Sequence, residues 1–183
     1  MNEFARTALN NLLAPDIERQ DTAFRSLMDA TAQPVDWAYE VWDVLVNTLT
    51  DEDNRRRAIA AQVLCNLAKS DPKRKMRNTL PALLMVTKDE RFVTARHCMQ
   101  SLWKAGVVSK DLQNRLIDGL AVRFDECSTE KNCTLIRYDI MVVLRRLYDH
   151  SGDEGIRQQA QAWIATEPDL KYRKKYLGVW KGM

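Results

Sequence analysis

Ala60-Ala61-Gln62-Val63-Leu64-Cys65-Asn66-Leu67 carries apolar side chains at 60, 63, 64 and 67. Steps of three and four place them on the one face that an amphipathic helix buries. The same stripe returns as Ala95, Cys98, Met99 and Leu102, and again as Ile140, Val143, Leu144 and Leu147. Its last member moves from Leu67 to Leu102 to Leu147, steps of 35 and 45 residues, and Leu27 stands 40 before Leu67 in a looser version of the slot. An internal period near forty residues marks a stacked helical repeat. The small Ala60 and Ala95 let helices approach closely, and the leucines one and two turns on fill the gap between neighbours.

Outward from these stripes, apolar periodicity of the helical kind covers most of the chain and strand-like alternation is nearly absent. Ten helices are expected: about Asn2–Leu13, Asp16–Thr31, 34–49 with Pro34 in its first turn, a fourth capped by Thr50-Asp51-Glu52-Asp53 and running to Lys69, a fifth opened by Ser70-Asp71-Pro72 and running to Thr87 past Pro81, a sixth from Lys88 to Gly106, a seventh from Ser109 to Phe124, an eighth from Asn132 to Asp149, a ninth from Ser151-Gly152-Asp153 to Thr166, and a short tenth after Pro168-Asp169. Prolines and acidic caps punctuate these starts, because proline needs no partner for a missing N–H and short acidic side chains accept from free helix N–H groups. Residues 125–131 are expected to form the longest loop. Ten helices in short-turn succession make five antiparallel pairs, each burying a face on its neighbours.

The stretch from Leu49 to Leu67 resembles a HEAT repeat, with an acidic turn followed by Arg57, Ala60, Leu64 and Leu67 at the family's spacing and Arg56 in place of an apolar residue. Ile136-Arg137 with Ile140, Leu144 and Leu147 repeats the pattern, and Ile156-Arg157 with Ala160 and Ile164 is a partial copy, whereas Phe92 stands where the third copy should have Arg. The resemblance is specific over residues 51–166 and implies an all-α fold, a right-handed α-solenoid of about five HEAT-like pairs of the HEAT or armadillo kind. One domain is expected over 1–183, closed by a basic and aromatic capping helix in 168–183.

Composition narrows the function. The chain is 45% hydrophobic and 29% charged, the profile of an ordinary folded protein. No apolar run approaches the ~18 residues that cross a bilayer, so no membrane association is expected. The start, Met1-Asn2-Glu3-Phe4, shows no secretory signal, and Cys65, Cys98, Cys127 and Cys133 form no Cys-x-x-Cys pair, so free thiols in a cytoplasmic protein are expected. His97 and His150 lack the close partners of a zinc site, no phosphate loop or hydrolase motif occurs, and neither a metal nor a cofactor is expected. Charge is uneven: residues 1–50 hold eight acidic and three basic side chains, net −5, and residues 51–100 hold six acidic and eleven basic, net +5.

If 60, 63, 64 and 67 face inward, then 62, 66 and 69 face out, and by the resemblance the second helix of each pair lines a concave surface. The outward columns are Gln62, His97 and Val142; Asn66, Ser101 and Arg146; Lys69, Lys104 and Asp149. Lys69, His97, Lys104, Arg145 and Arg146 are therefore the candidate partner-binding residues, against the plain alternative of a solvated helix face. A second candidate is the basic patch of Arg55 and Arg56, with Arg57, and of Lys73, Arg74, Lys75 and Arg77 at the opening of the fifth helix. It fits a phosphate footprint, or charges balanced by Asp51, Glu52, Asp53 and Asp71. In the tail, Tyr172, Tyr176 and Trp180 are spaced by four, which suits stacking on a partner or covering the last repeat. Trp37 and Trp42 suit the core of the outer helix layer.

The function these features favour is a non-enzymatic scaffold offering a polar to basic concave surface to a protein or peptide. The alternative is nucleic-acid binding by a relative of the HEAT-like alkylpurine DNA glycosylases, whose motif is not recognisable here. Self-association of the acidic first pair with the basic middle of another copy is a third possibility.

Overall fold

The computed structural model describes residues 2–181. Met1, Gly182 and Met183, at the edges of the expected domain and capping segment, lie outside the described residues. Five helical hairpins follow in order. The first is α1 (Glu3–Leu12) with α2 (Ile17–Ala30), and the second α3 (Ala38–Thr48) with α4 (Asn54–Leu67). The third joins α5 (Met76–Val86) to a rod made of α6 (Phe92–Ser101) and α7 (Trp103–Gly106). The fourth is α8 (Lys110–Glu126) with α9 (Cys133–Ser151), and the fifth α10 (Glu154–Thr166) with α11 (Leu170–Val179). No strand occurs among the described residues.

Helix starts follow the short acidic and hydroxyl side chains. Asp16, Asp53, Ser109, Asp153 and Asp169 each accept from backbone N–H groups of the turn that follows, each such cap being worth ~1 kcal/mol. Gly152 ends α9 with φ at 63°, a left-handed conformation that glycine adopts without steric cost. Gly106, expected at the end of the sixth helix, plays a packing role. It closes α7, and a methyl group there would meet Leu147 at 2.7 Å and Leu116 at 2.8 Å, so its small size serves helix packing.

The second helices form one layer in which α2, α4, α6–α7 and α9 pack on each other in turn, and α11 continues against α9. Behind them α1 packs on α3, and α5 on α8. Ala60, Val63, Leu64 and Leu67 are buried, as are Ala95, Cys98, Met99 and Leu102, and Ile140, Val143, Leu144 and Leu147. All of them except Ala95 belong to one continuous apolar core that runs from Ala5 to Trp180. Trp37 and Trp42 are buried on the α3 side, with the Trp42 indole N–H donating to Thr79 Oγ1 at 3.0 Å. Tyr176 and Trp180 of the tail are buried too, and Tyr176 Oη donates to the Thr134 carbonyl at 2.7 Å. These aromatics thus pack on α9 of the fourth hairpin.

At two positions the repeating arginine slot forms a rung between hairpins, whereas Arg157 pairs with Glu154 of its own helix. Arg57 pairs with Asp89 at 2.6 Å and Arg137 with Glu167 at 3.2 Å, both largely buried. In the third hairpin, where Phe92 fills the slot, Arg96 one turn later lies over the Phe92 ring and pairs with buried Asp139 at 2.7 Å. Among the described residues no helix is long and apolar enough to cross a membrane.

Candidate functional site

The inner layer opens as one groove of about 640 Å³. Met28 of α2 and Ala32 beyond it form its first edge, followed by Asn66 of α4 and Lys69 of the next turn. Trp103 and Lys104 of α7, Val107 and Val108 beyond it, and His150 of α9 complete it. Four successive hairpins therefore contribute to one cleft.

A polar ladder crosses its floor. Thr31 Oγ1 accepts from Asn66 Nδ2 at 3.1 Å, and Asn66 Oδ1 accepts from Lys104 Nζ at 2.6 Å. These partners are 35 and 38 residues apart, so the ladder follows the repeat interval. Lys69 Nζ donates to the carbonyls of Ala32 at 2.8 Å and Thr31 at 3.2 Å, at the C-terminal end of α2, where a cation meets the negative end of the helix dipole. The Arg146 guanidinium lies 5.3 Å from the Trp103 ring centroid, and the His150 ring centroid lies 5.9 Å from the same indole. Burial lowers the Lys104 pKa below its usual value; Cys65 opposes this in part, and the nearby Lys69 and Arg146 charges add smaller lowering effects. None of these three cations has a carboxylate partner among the described residues.

The sequence-derived candidates separate on this geometry. Lys69 and Lys104 line the groove and Arg146 lies beside it over the Trp103 ring, whereas Arg145 pairs with Asp149 at 2.6 Å and lies over Trp180, beyond the end of α11. His97 is exposed on a smaller cleft with Asp21, Phe24, Arg55, Ala58, Ile59 and Gln62. Asn66 and Ser101, expected to face outward, are buried. The helical wheel placed Asn66 on the outer column correctly as a polar position, but neighbouring second helices close over it and make it the middle rung.

The basic patch also divides. Lys73-Arg74-Lys75 does not open a helix. Asp71 caps α5 from outside, accepting from Lys75 N at 2.9 Å and Met76 N at 2.6 Å, so the helix starts at Met76 and the cations sit in the preceding turn. Arg74 takes φ of 57° there. Arg55 pairs with Asp21, Arg56 with Asp51 and Asp53, Lys75 with Asp43, and Arg77 with Asp111. The acidic first region thus meets the basic middle inside the same chain. The sequence reading missed Trp103 and His150; the break at Leu102 that sets off Trp103 and Lys104 as a separate short helix leaves no proline or glycine as a signal.

A groove built across four consecutive helical hairpins defines the class: this chain has an armadillo/HEAT-like α-helical repeat fold. Among solved structures it is similar to an engineered protein at 18% identity, covering 96% of this chain and 77% of that one with a TM-score of 0.55. It is similar to another engineered protein at 17% identity, covering 98% and 81% with a TM-score of 0.58. It is also similar to a designed armadillo repeat protein in complex with the peptide (KR)4, at 16% identity, covering 98% and 88% with a TM-score of 0.51. The sequence matches no protein-family model and no curated protein.

Proposed function

We propose that this chain is a non-enzymatic scaffold that holds a peptide or an extended segment of a protein in the groove between α2, α4, α7 and α9. One observation carries the reading: a single cleft combines an apolar wall with a ladder of polar groups contributed at the repeat interval. Pockets of this volume lined by apolar groups and a few fixed polar ones suit side chains of a ligand rather than a flat surface. The solved armadillo-type neighbour with a bound peptide supports the same use of the fold. Free thiols support a reducing, cytoplasmic location.

Nucleic-acid binding and head-to-tail self-association have less support, because most of the basic patch is matched by Asp21, Asp43, Asp51, Asp53 and Asp111 of the same chain. Selection of displayed random peptides on the full chain tests the proposal. Binders are expected, and they lose affinity about tenfold or more with Ala32→Trp, which fills the groove from an exposed position. They keep it with Met85→Glu on exposed α5 surface. A selection without binders, or binders indifferent to Ala32→Trp, contradicts it.

A further inference from the structure

We propose that the occupant of this groove is an acidic amphipathic peptide segment, whose Asp or Glu carboxylates meet Lys69, Lys104 and Arg146 while its apolar side chains rest on Met28, Trp103 and Val107. The inference rests on the peptide-scaffold reading and adds the chemistry of the ligand. It starts from a contrast within the molecule. Arg55, Arg56, Arg57, Lys75 and Arg77 each have a carboxylate partner. The three groove cations have only neutral acceptors or a ring: Asn66 Oδ1 for Lys104, backbone carbonyls for Lys69 and the Trp103 face for Arg146. The nearest candidate within α9, Asp149, is turned onto Arg145.

Three like charges at one cleft, one of them half-buried, repel each other, and the partly desolvated Lys104 has only the neutral Asn66 Oδ1 as partner. A carboxylate entering from a ligand relieves both costs and makes charge-assisted hydrogen bonds. An incoming Lys or Arg does the opposite, so the groove also selects against basic segments. The ligand of the similar designed protein, the peptide (KR)4, has the opposite charge to the one expected here. A polyanion such as duplex nucleic acid matches the charge but not the shape, since it needs an exposed row of cations along a backbone and brings no apolar side chains for Met28, Trp103 and Val107.

The test uses the full chain and three labelled peptides read by fluorescence anisotropy: Glu alternating with Leu, the same peptide with Gln for Glu, and the same with Lys for Glu. The Glu peptide is expected to bind at least tenfold more tightly than the Gln peptide and the Lys peptide least. Lys69→Glu with Arg146→Glu, both at exposed positions, is expected to reverse the order of the Glu and Lys peptides while circular dichroism stays unchanged. Equal binding of all three, or tightest binding of the Lys peptide, with sensitivity to Ala32→Trp, overturns the acidic ligand and leaves the scaffold standing. No binding of any of the three overturns the acidic ligand, and if displayed peptides fail as well the scaffold falls with it. Displacement of the Glu peptide by a labelled DNA duplex that binds more tightly assigns the groove to nucleic acid and also overturns the proposal.

Discussion

Leu67 and Leu102 fill equivalent slots in successive hairpins, and each is fully buried. Truncating either to Ala removes apolar contact and leaves a cavity that two packed helices cannot collapse to fill. The expected loss is ~2–5 kcal/mol for each, measured as a shift in the urea unfolding midpoint with little change in slope. A loss below about 1 kcal/mol at both sites would show that the slots are not equivalent contacts. Cysteines report the same packing chemically. Burial pushes the Cys65 thiol up to about 12, partly opposed by Lys104. Cys133 is only partly buried. At pH 8 iodoacetamide is expected to modify Cys133 well before Cys65, and modification of Cys65 is expected to follow global unfolding. Equal rates in native buffer would contradict this.

At the scale of helices, caps and inter-hairpin rungs decide where the chain turns and how pairs are joined. Asp71 accepts from the Lys75 and Met76 N–H groups at the start of α5 and from the Tyr39 hydroxyl, so Asp71→Ala is expected to cost about 1–2 kcal/mol by thermal or urea unfolding. Asp89 shows how a rung depends on pH. Burial alone would raise its pKa, but hydrogen bonds from Arg57 and the Arg91 N–H outweigh burial and hold it below the usual carboxylate value. A carboxyl lowered in the folded state adds stability that is complete above its unfolded pKa near 4 and is lost as pH falls through the folded value. Asp89→Asn is therefore expected to lower stability at pH 7 by roughly 3 kcal/mol, since Arg57 stays largely buried without its partner. It is also expected to flatten the decline below pH 4, which a stability profile against pH checks. The stripes and the acidic caps were legible from spacing, because each is a local pattern with a physical cause, whereas the arginine slot came only from the resemblance to HEAT repeats. The start of α5 was not: Ser70-Asp71-Pro72 reads as a cap and first turn, yet Asp71 reaches four and five residues ahead across a turn in which Arg74 is left-handed.

For the whole molecule, the period of the core stripes indicates stacked helical hairpins, and the resemblance to HEAT repeats implies that their second helices form the inner layer. It also put Lys69, Lys104 and Arg146 on the right layer. It could not show that Arg145, one residue from Arg146, turns toward the capping helix, or that Trp103 and His150 complete the cleft. Those placements depend on how neighbouring hairpins are offset, a non-local property. The ladder from Thr31 to Asn66 to Lys104 joins different wheel positions because of that offset. The claim that joins fold to function is that several hairpins meet one ligand together. Amide hydrogen exchange with and without the Glu–Leu peptide tests it most directly. Slower exchange is expected together around residues 28–32, 66–69, 103–108 and 146–150, with residues 73–77 and 171–181 unchanged. Protection confined to one hairpin, or to the basic turn or the tail, would contradict it.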